Sequence, residues 1–426
     1  MKRLVSLDIL RGLSIVGVIF FHAFIFNVDM PPGFIDPSGI SQVILYFLTW
    51  AGFFGMISAT ANTIALYGRF RKGSFTAKRM LLNFITTGLV VILINYIYML
   101  VFAPGYIDPN YVAISILPAF IRTGLYYPPD PARILFATAL LMVGTGILFT
   151  GLILYPLCRK DGYKKITRNC IVLGIIATAI IFVYPVLDTI TAEYFTQPLT
   201  FANFVPRLFL SWIVGDMNPM FPYLGFMLYG AIFGILIVEG VRHRTILTYG
   251  YALGVTLTLI GMSYIATYGF DVGAYQTPPI GPLISILGPM LLSLTFCLHA
   301  MDFRKDSTRI WWIKHSVGSR SFGILTLTAF LLEGSFSQIL GLIVGLFYPA
   351  WWSNVAFVFL IFSALILVLW RIILRYWAKI HFKGSFEWFI ISAVAKFTGK
   401  KSTRLDVDHI LHGYEEYVET KSDPSR

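Results

Sequence analysis

The sequence predicts an all-α integral membrane protein, a polytopic helix bundle of about ten transmembrane helices with both termini cytoplasmic. Three observations carry that prediction. Of 426 residues, 57% are hydrophobic and only 13% charged, a balance typical of multi-pass membrane proteins. Apolar runs recur at roughly 9 to 27, 42 to 67, 80 to 103, 134 to 157, 171 to 187, 219 to 238, 245 to 268, 281 to 300, 321 to 347 and 355 to 373. Each is long enough, or nearly so, to cross a hydrocarbon core of ~30 Å. Finally, the connecting segments alternate in charge: all of the 33 Lys and Arg except Arg122, Arg133 and Arg207 fall on one side. The positive-inside rule makes that side cytoplasmic and places the chain in a cell membrane.

The net charge of +12 comes from these basic clusters between apolar runs, so it specifies orientation and predicts no nucleic-acid partner. Cys158, Cys170 and Cys297 lie in or near the spans without metal-ligand spacing, which predicts neither a disulfide nor zinc. The first apolar run carries Asp8, Arg11 and His22 and lacks a small-residue cleavage site, so it reads as a retained helix. Residues 1–396 read as one membrane domain, and 397–426 as a cytoplasmic tail.

The two long external loops, 104 to 131 and 188 to 218, are rich in Pro and aromatics and carry Asp108, Asp130, Asp188, Glu193 and Asp216. They read either as walls of an outward-opening pocket or as aromatic anchors with ordinary turns. Phe201 to Val214 is apolar around Arg207 and predicts an interfacial or re-entrant helix. Asp216 and Asn218 are placed to cap the helix after Pro219. In the tail, Val407, Ile410, Leu411, Tyr414 and Val418 recur at helical spacing. His409 and His412, beside Asp406 and Glu416, are weak metal candidates on an exposed helix.

The first helix carries the functional signal. Asp8 and Arg11 stand one turn apart at its start, and His22 follows eleven residues later, about 20 Å into the membrane at ~1.5 Å per residue. Ionisable groups at that depth are costly and commonly face a protein interior or a watery cavity. Glu333, in the ninth run, lies ~18 Å from the start of its own helix near Ser321. Matched depth makes His22 and Glu333 candidates for a pair, in which the carboxylate would fix the imidazole tautomer and suit it to general-base work. Separate hydrogen bonds to neighbouring helices would also accommodate both groups. His299 and Asp302, at the cytoplasmic end of the eighth run, read as solvated.

These residues resemble a known family. Asp8, Leu10, Arg11 and Gly12, then His22 within Phe20-Phe21-His22-Ala23, resemble the first helix of the transmembrane acyltransferase superfamily. That superfamily includes the acyltransferase type three proteins, YeiB-like membrane proteins and heparan-alpha-glucosaminide N-acetyltransferase. Phe53-Phe54 with Ser58, Thr326 to Glu333 and Lys383 to Trp388 (KGSFEW) are similar to later motifs, the last two nearest to YeiB-like proteins. The resemblance implies transfer of an acyl group, with acetyl the one expected, from a cytoplasmic acyl-CoA (acetyl-CoA) co-substrate to a hydroxyl or amine of an extracytoplasmic glycan or lipid-linked envelope molecule. No tightly bound cofactor is implied. It assigns Arg11, with Arg3, Lys78 and Arg79 on adjoining edges, to the anionic donor, and His22, with Glu333 and Asp8, to catalysis. YeiB-like relatives usually carry Asn where this chain has His22, and Gln where it has Glu333. Two other readings stay open: a proton-coupled transporter or flippase using His22 and Glu333 as a relay, and a non-catalytic scaffold. Acceptor identity and homo-oligomerisation are not specified by the sequence.

Overall fold

The computed structural model describes residues 3–28, 46, 50–104, 115–215, 217–269, 280–397, 407 and 411. Among them the chain is helical, with no strand. Helix α1 spans Val5–Ile25, α2 Ala51–Arg71 and α3 Ala77–Ile97, the last continued by a wider π-type turn at Tyr98–Phe102. Then come the short α4, Ile116–Thr123, and the long α5, Ala139–Cys158, and α6, Ile166–Thr196. Helix α7 is Phe201–Ile213, α8 Met220–Val238, α9 His243–Tyr268 and α10 Ile280–Cys297, which ends in a π-type turn at Leu298–Asp302. Helices α11, Asp306–His315, α12, Val317–Ile324, and α13, Thr326–Phe347, follow. A π-type segment at Phe357–Phe362 leads into α14, Ser363–Ala378, and α15 is Phe386–Phe397.

Local chemistry explains several starts. Thr76 accepts from the Arg79 N–H at 3.2 Å, and Thr138 from the Leu140 N–H at 3.2 Å, each satisfying a first-turn donor that has no helical partner. At α7, Thr200 and Asn203 form a reciprocal capping box at 3.3 and 2.8 Å.

Nine of the described helical stretches are long and apolar enough to cross a bilayer, so the protein is a multi-pass membrane protein. The tenth expected span is α2, which has the length but is diluted by Ser58, Thr60, Asn62 and Thr63. Exposed apolar rows such as Leu82, Leu89 and Leu93 on α3 suit lipid rather than water. Other expectations change. The fifth run is helical as far as Thr196, so Asp188 and Glu193 lie on α6 and not in a loop. The ninth run is two helices broken at Leu325, whose φ of −102° and ψ of 33° leave the helical region. The N-cap of α8 is Pro219 without a side-chain cap, and the Asn218 N–H goes to the Ala137 carbonyl at 2.7 Å instead. Asp108, Asp216, Asp406, His409, Ile410, His412, Tyr414, Glu416 and Val418 lie outside the described residues.

By its packing the chain divides into two compact units. The first comprises Met1–Pro31, Phe102–Pro128 and Cys297–Arg426; the second comprises Pro32–Val101 and Pro129–Phe296. In the second unit small residues bring helices close: a Cβ on Gly230 of α8 would lie 2.3 Å from the Met56 carbonyl of α2, and Thr60 donates to the Gly230 carbonyl at 3.0 Å. Helix α7 is held by Trp212, whose Nε1 donates to the Tyr96 hydroxyl at 2.7 Å. Phe201, Val205, Phe209 and Ile213, one per turn, stay exposed on α7 as an interfacial helix requires. In the first unit α1 packs against α12, α13 and α14 and so forms its centre. A Cβ at Gly12 would sit 1.8 Å from the Ser319 carbonyl, and one at Gly323 would sit 2.4 Å from the Asp8 carbonyl. Larger residues at either place would push α1 off α12.

Candidate functional site

Helix α1 begins after an extended Leu4 that offers no cap of its own. The free N–H groups of Val5 and Ser6 are taken by Asp302, at 3.0 and 2.9 Å. Asp302, expected to be solvated, has a side chain only 2% exposed and acts as a buried cap borrowed from another segment. Beside it, Asp8 accepts both Arg3 nitrogens, Nε at 2.5 Å and Nη2 at 3.0 Å. Arg11 approaches Asp8 at 3.7 Å.

That arrangement separates the expected site residues. Asp8 does not reach His22: fourteen residues of helix amount to about 21 Å, and both its oxygens already serve Arg3. It pairs with Arg3 and approaches Arg11. Arg3 is committed to Asp8 through its side chain, and its carbonyl accepts from Arg309 at 2.6 Å. Arg11 differs, because its guanidinium makes no hydrogen bond among the described residues and meets Asp8 only at 3.7 Å. Arg79 belongs to the second unit, where its guanidinium lies 5.1 Å over the Phe75 ring.

His22 and Glu333 do meet. His22 Nδ1 hydrogen-bonds Glu333 Oε1, joining α1 to α13 inside the first unit. The Glu333 side chain is 2% exposed and His22 26%, so the acid is enclosed while the imidazole keeps an open edge. With the carboxylate ionised, Nδ1 carries the proton and Nε2 presents its lone pair. Nε2 has no hydrogen-bond partner among the described residues. Phe26 and Phe330 flank the ring at 5.0 and 6.2 Å between centroids. A turn further on, Asn27 Nδ2 donates to the Ala23 carbonyl at 2.9 Å and to Ser337 at 3.4 Å, tying the same helices together.

This stretch of α13 is rich in unused polarity. Glu333 Oε2, the Ser335 hydroxyl and both amide atoms of Gln338 are buried without hydrogen-bond partners. Buried polar groups are usually paired, so such a cluster marks a place where water or a ligand is expected. Ser335 and Gln338 are functional candidates not identified in the sequence. Polar residues two and five places after an intramembrane acid were the available signal.

A further group governs how α13 is held. The break at Leu325 leaves the N–H groups of Leu327 and Thr328 as first-turn donors with no helical carbonyl to meet. Both donate to Glu387 Oε1, at 2.7 and 3.1 Å, and the Thr328 hydroxyl hydrogen-bonds Glu387 Oε2. In return the Phe386 N–H donates to Thr328 Oγ1 at 2.9 Å. The segment Lys383–Trp388 is shaped for this. Gly384 takes a φ of 82°, a region that favours glycine, and Ser385 caps α15 by accepting from the Trp388 N–H at 3.1 Å. The first turns of α13 and α15 therefore converge on one carboxyl group, where both helix dipoles favour negative charge. Burial pushes the acid range of Glu387 up, against the pull of the bonds from Thr328 and Leu327.

Among the described residues no group of three or more His, Cys, Asp or Glu is arranged to hold a metal ion. No protein-family model matches the chain, and no curated protein matches it. The likeness to the transmembrane acyltransferase superfamily rests on sequence motifs alone.

Proposed function

We propose that the protein is a membrane-bound acyltransferase. In this reading it moves an acyl group from a cytoplasmic acyl-CoA to a hydroxyl or amine of an extracytoplasmic glycan or lipid-linked molecule. The observation that carries the reading is the His22–Glu333 hydrogen bond, an oriented imidazole whose Nε2 has no hydrogen-bond partner among the described residues. An acceptor hydroxyl is a poor nucleophile until a base takes its proton, and an imidazole so placed contributes typically ~10²- to 10⁴-fold. Nε2 takes that proton as the acceptor oxygen attacks the thioester carbonyl. The C–S bond then breaks, the imidazolium returns the proton to the leaving sulfur, and the products are the acylated acceptor and a free thiol.

Arg11 supports the donor side. It stands eleven residues before His22 on the same helix, about 16 Å along the axis, and its unused donors suit a phosphate of the coenzyme. The basic edges that orient the chain put this end on the cytoplasmic side and His22 in the outer half. A long thioester arm running along α1 would link the two.

Isothermal titration of acetyl-coenzyme A into detergent-purified protein tests the reading, with thioester consumption followed in parallel. Saturable binding lost in Arg11→Ala, with turnover lost in His22→Ala, is the expected result. Folded protein that binds no thioester at millimolar concentration would overturn it. Uptake driven by a proton gradient in vesicles would put the relay reading in its place.

A further inference from the structure

The carboxyl group of Glu387 sits at the break between α12 and α13. Helices α12 and α13 are separated at Leu325, so α13 does not inherit its position from α12 through continuous helical hydrogen bonding. On its N-terminal side α12 is locked to α1 by the Gly12–Ser319 and Gly323–Asp8 approaches. The depth and rotation of α13 therefore depend in part on what grips its first turn. The Thr326 hydroxyl donates back to the Phe322 and Gly323 carbonyls of α12 at 3.3 and 3.0 Å, and four further hydrogen bonds tie that turn to the Phe386-Glu387 pair: Leu327 N, Thr328 N and Thr328 Oγ1 to Glu387, and Phe386 N to Thr328. The Phe386 ring is itself packed edge-on against Phe102, 5.8 Å between centroids. Glu333 lies five residues after Thr328 on the same rigid helix. A shift of the first turn therefore moves Glu333 against His22 by a similar amount.

We infer that Glu387 is a positioning residue for the His22–Glu333 pair: by capping the first turn of α13 from another helix it sets the register of Glu333 against α1. Its consequence for turnover rests on the acyltransferase reading, but the register itself does not, so the two can fail separately. A residue acting only as a stabilising cap would lower the melting temperature and leave the α1–α13 alignment where it is.

The test reads that alignment directly. Asn27 and Ser337 face each other across α1 and α13 at 3.4 Å, and neither belongs to the proposed machinery. In full-length protein with Cys158, Cys170 and Cys297 replaced by Ala, Asn27→Cys and Ser337→Cys are joined by a short bis-methanethiosulfonate, and the initial cross-linking rate is measured. Glu387→Ala is expected to slow the reaction about tenfold, the scale of a lost helix cap. Glu387→Gln, which keeps the carbonyl acceptor for Leu327 and Thr328, should restore it to within about twofold of the parent. Leu374→Ala, which opens a cavity at a fully buried position of α14, should lower the melting temperature without slowing the cross-link.

A parental rate in Glu387→Ala, or an equal loss in Leu374→Ala, overturns the inference. Should Glu387→Ala fail to fold, Thr328→Val removes two of the four bonds and keeps the two backbone ones. An intermediate rate there supports the inference, and a parental rate overturns it. Thioester turnover in the same proteins separates the two claims: an altered register with no turnover in any variant, parent included, removes the acyltransferase reading and leaves the positioning role.

Discussion

Two buried glutamates, one in each unit, face very different company. In the second unit Glu239 is saturated: Oε1 accepts from Arg71 Nε at 2.5 Å and from the Tyr67 hydroxyl, and Oε2 accepts from Arg71 Nη2 at 2.8 Å. The Arg71 guanidinium also lies 4.5 Å over the Tyr163 ring. In the first unit Glu333 uses one oxygen on His22, and among the described residues neither its other oxygen nor His22 Nε2 has a hydrogen-bond partner. Both acids are nearly inaccessible, at 4% and 2%. A buried polar network with every lone pair used rigidifies the fold, whereas one with groups left over holds free energy in reserve for something that binds or reacts. Burial alone does not distinguish structure from function; completeness of pairing does.

The largest effect that would break this contrast is on chemistry. His22→Gln is expected to reduce thioester turnover by about 10²- to 10⁴-fold, the usual loss when a general base is removed, with little change in thermal unfolding. A large fall in melting temperature with turnover intact would make the open pair as structural as the closed one. Next comes Glu239→Ala, which strands Arg71. The expected loss of stability is about 3 kcal/mol, the low end for breaking a buried pair, because Arg71 is 31% exposed and can be resolvated. Thermal melts checked at two salt concentrations measure it.

Arg11→Ala should weaken acyl-CoA affinity by about 10- to 100-fold, matching a charged hydrogen bond of ~1.5 to 3 kcal/mol. Added salt should weaken binding to the parent far more than to the variant, and titration calorimetry reads both. The smallest effect sharpens the contrast most. Glu333→Gln should change stability by less than about 1 kcal/mol, since replacing an incompletely paired buried acid by its neutral isostere is often close to neutral. Glu239→Gln, losing charge against a bidentate arginine, should cost clearly more in the same melt.

Some of this was legible beforehand. The bilayer imposes a length and a polarity on each span, and an ionisable residue stands out there because it costs so much. That cost is why His22 and Glu333 stood out as candidates for a pair, although Ser321, from which the depth of Glu333 was counted, belongs to α12 and not to α13. The break at Leu325 was not readable, because no proline marks it and the hydropathy runs through it unchanged. Asp8 also stood out, but its two oxygens are occupied by Arg3, a fact that spacing on one helix does not reveal. Asp302 and Glu387 cap helices that are distant in sequence, at α1 and α13. Arg71 reads in the sequence only as one more basic residue at a span edge, and its partner Glu239 lies 168 positions away.

The division follows the range of the forces. Hydropathy and charge along the chain act locally against a slab-like solvent, so the sequence by itself determined the class of the protein, the spans and the depth of its ionisable groups. Which donors are left unpaired and which acid closes which helix end depend on segments far apart in the chain meeting at hydrogen-bond distance. Only the tertiary structure decided those, because a hydrogen bond is made or lost within a fraction of an ångström, and no pattern along one strand of sequence carries that precision.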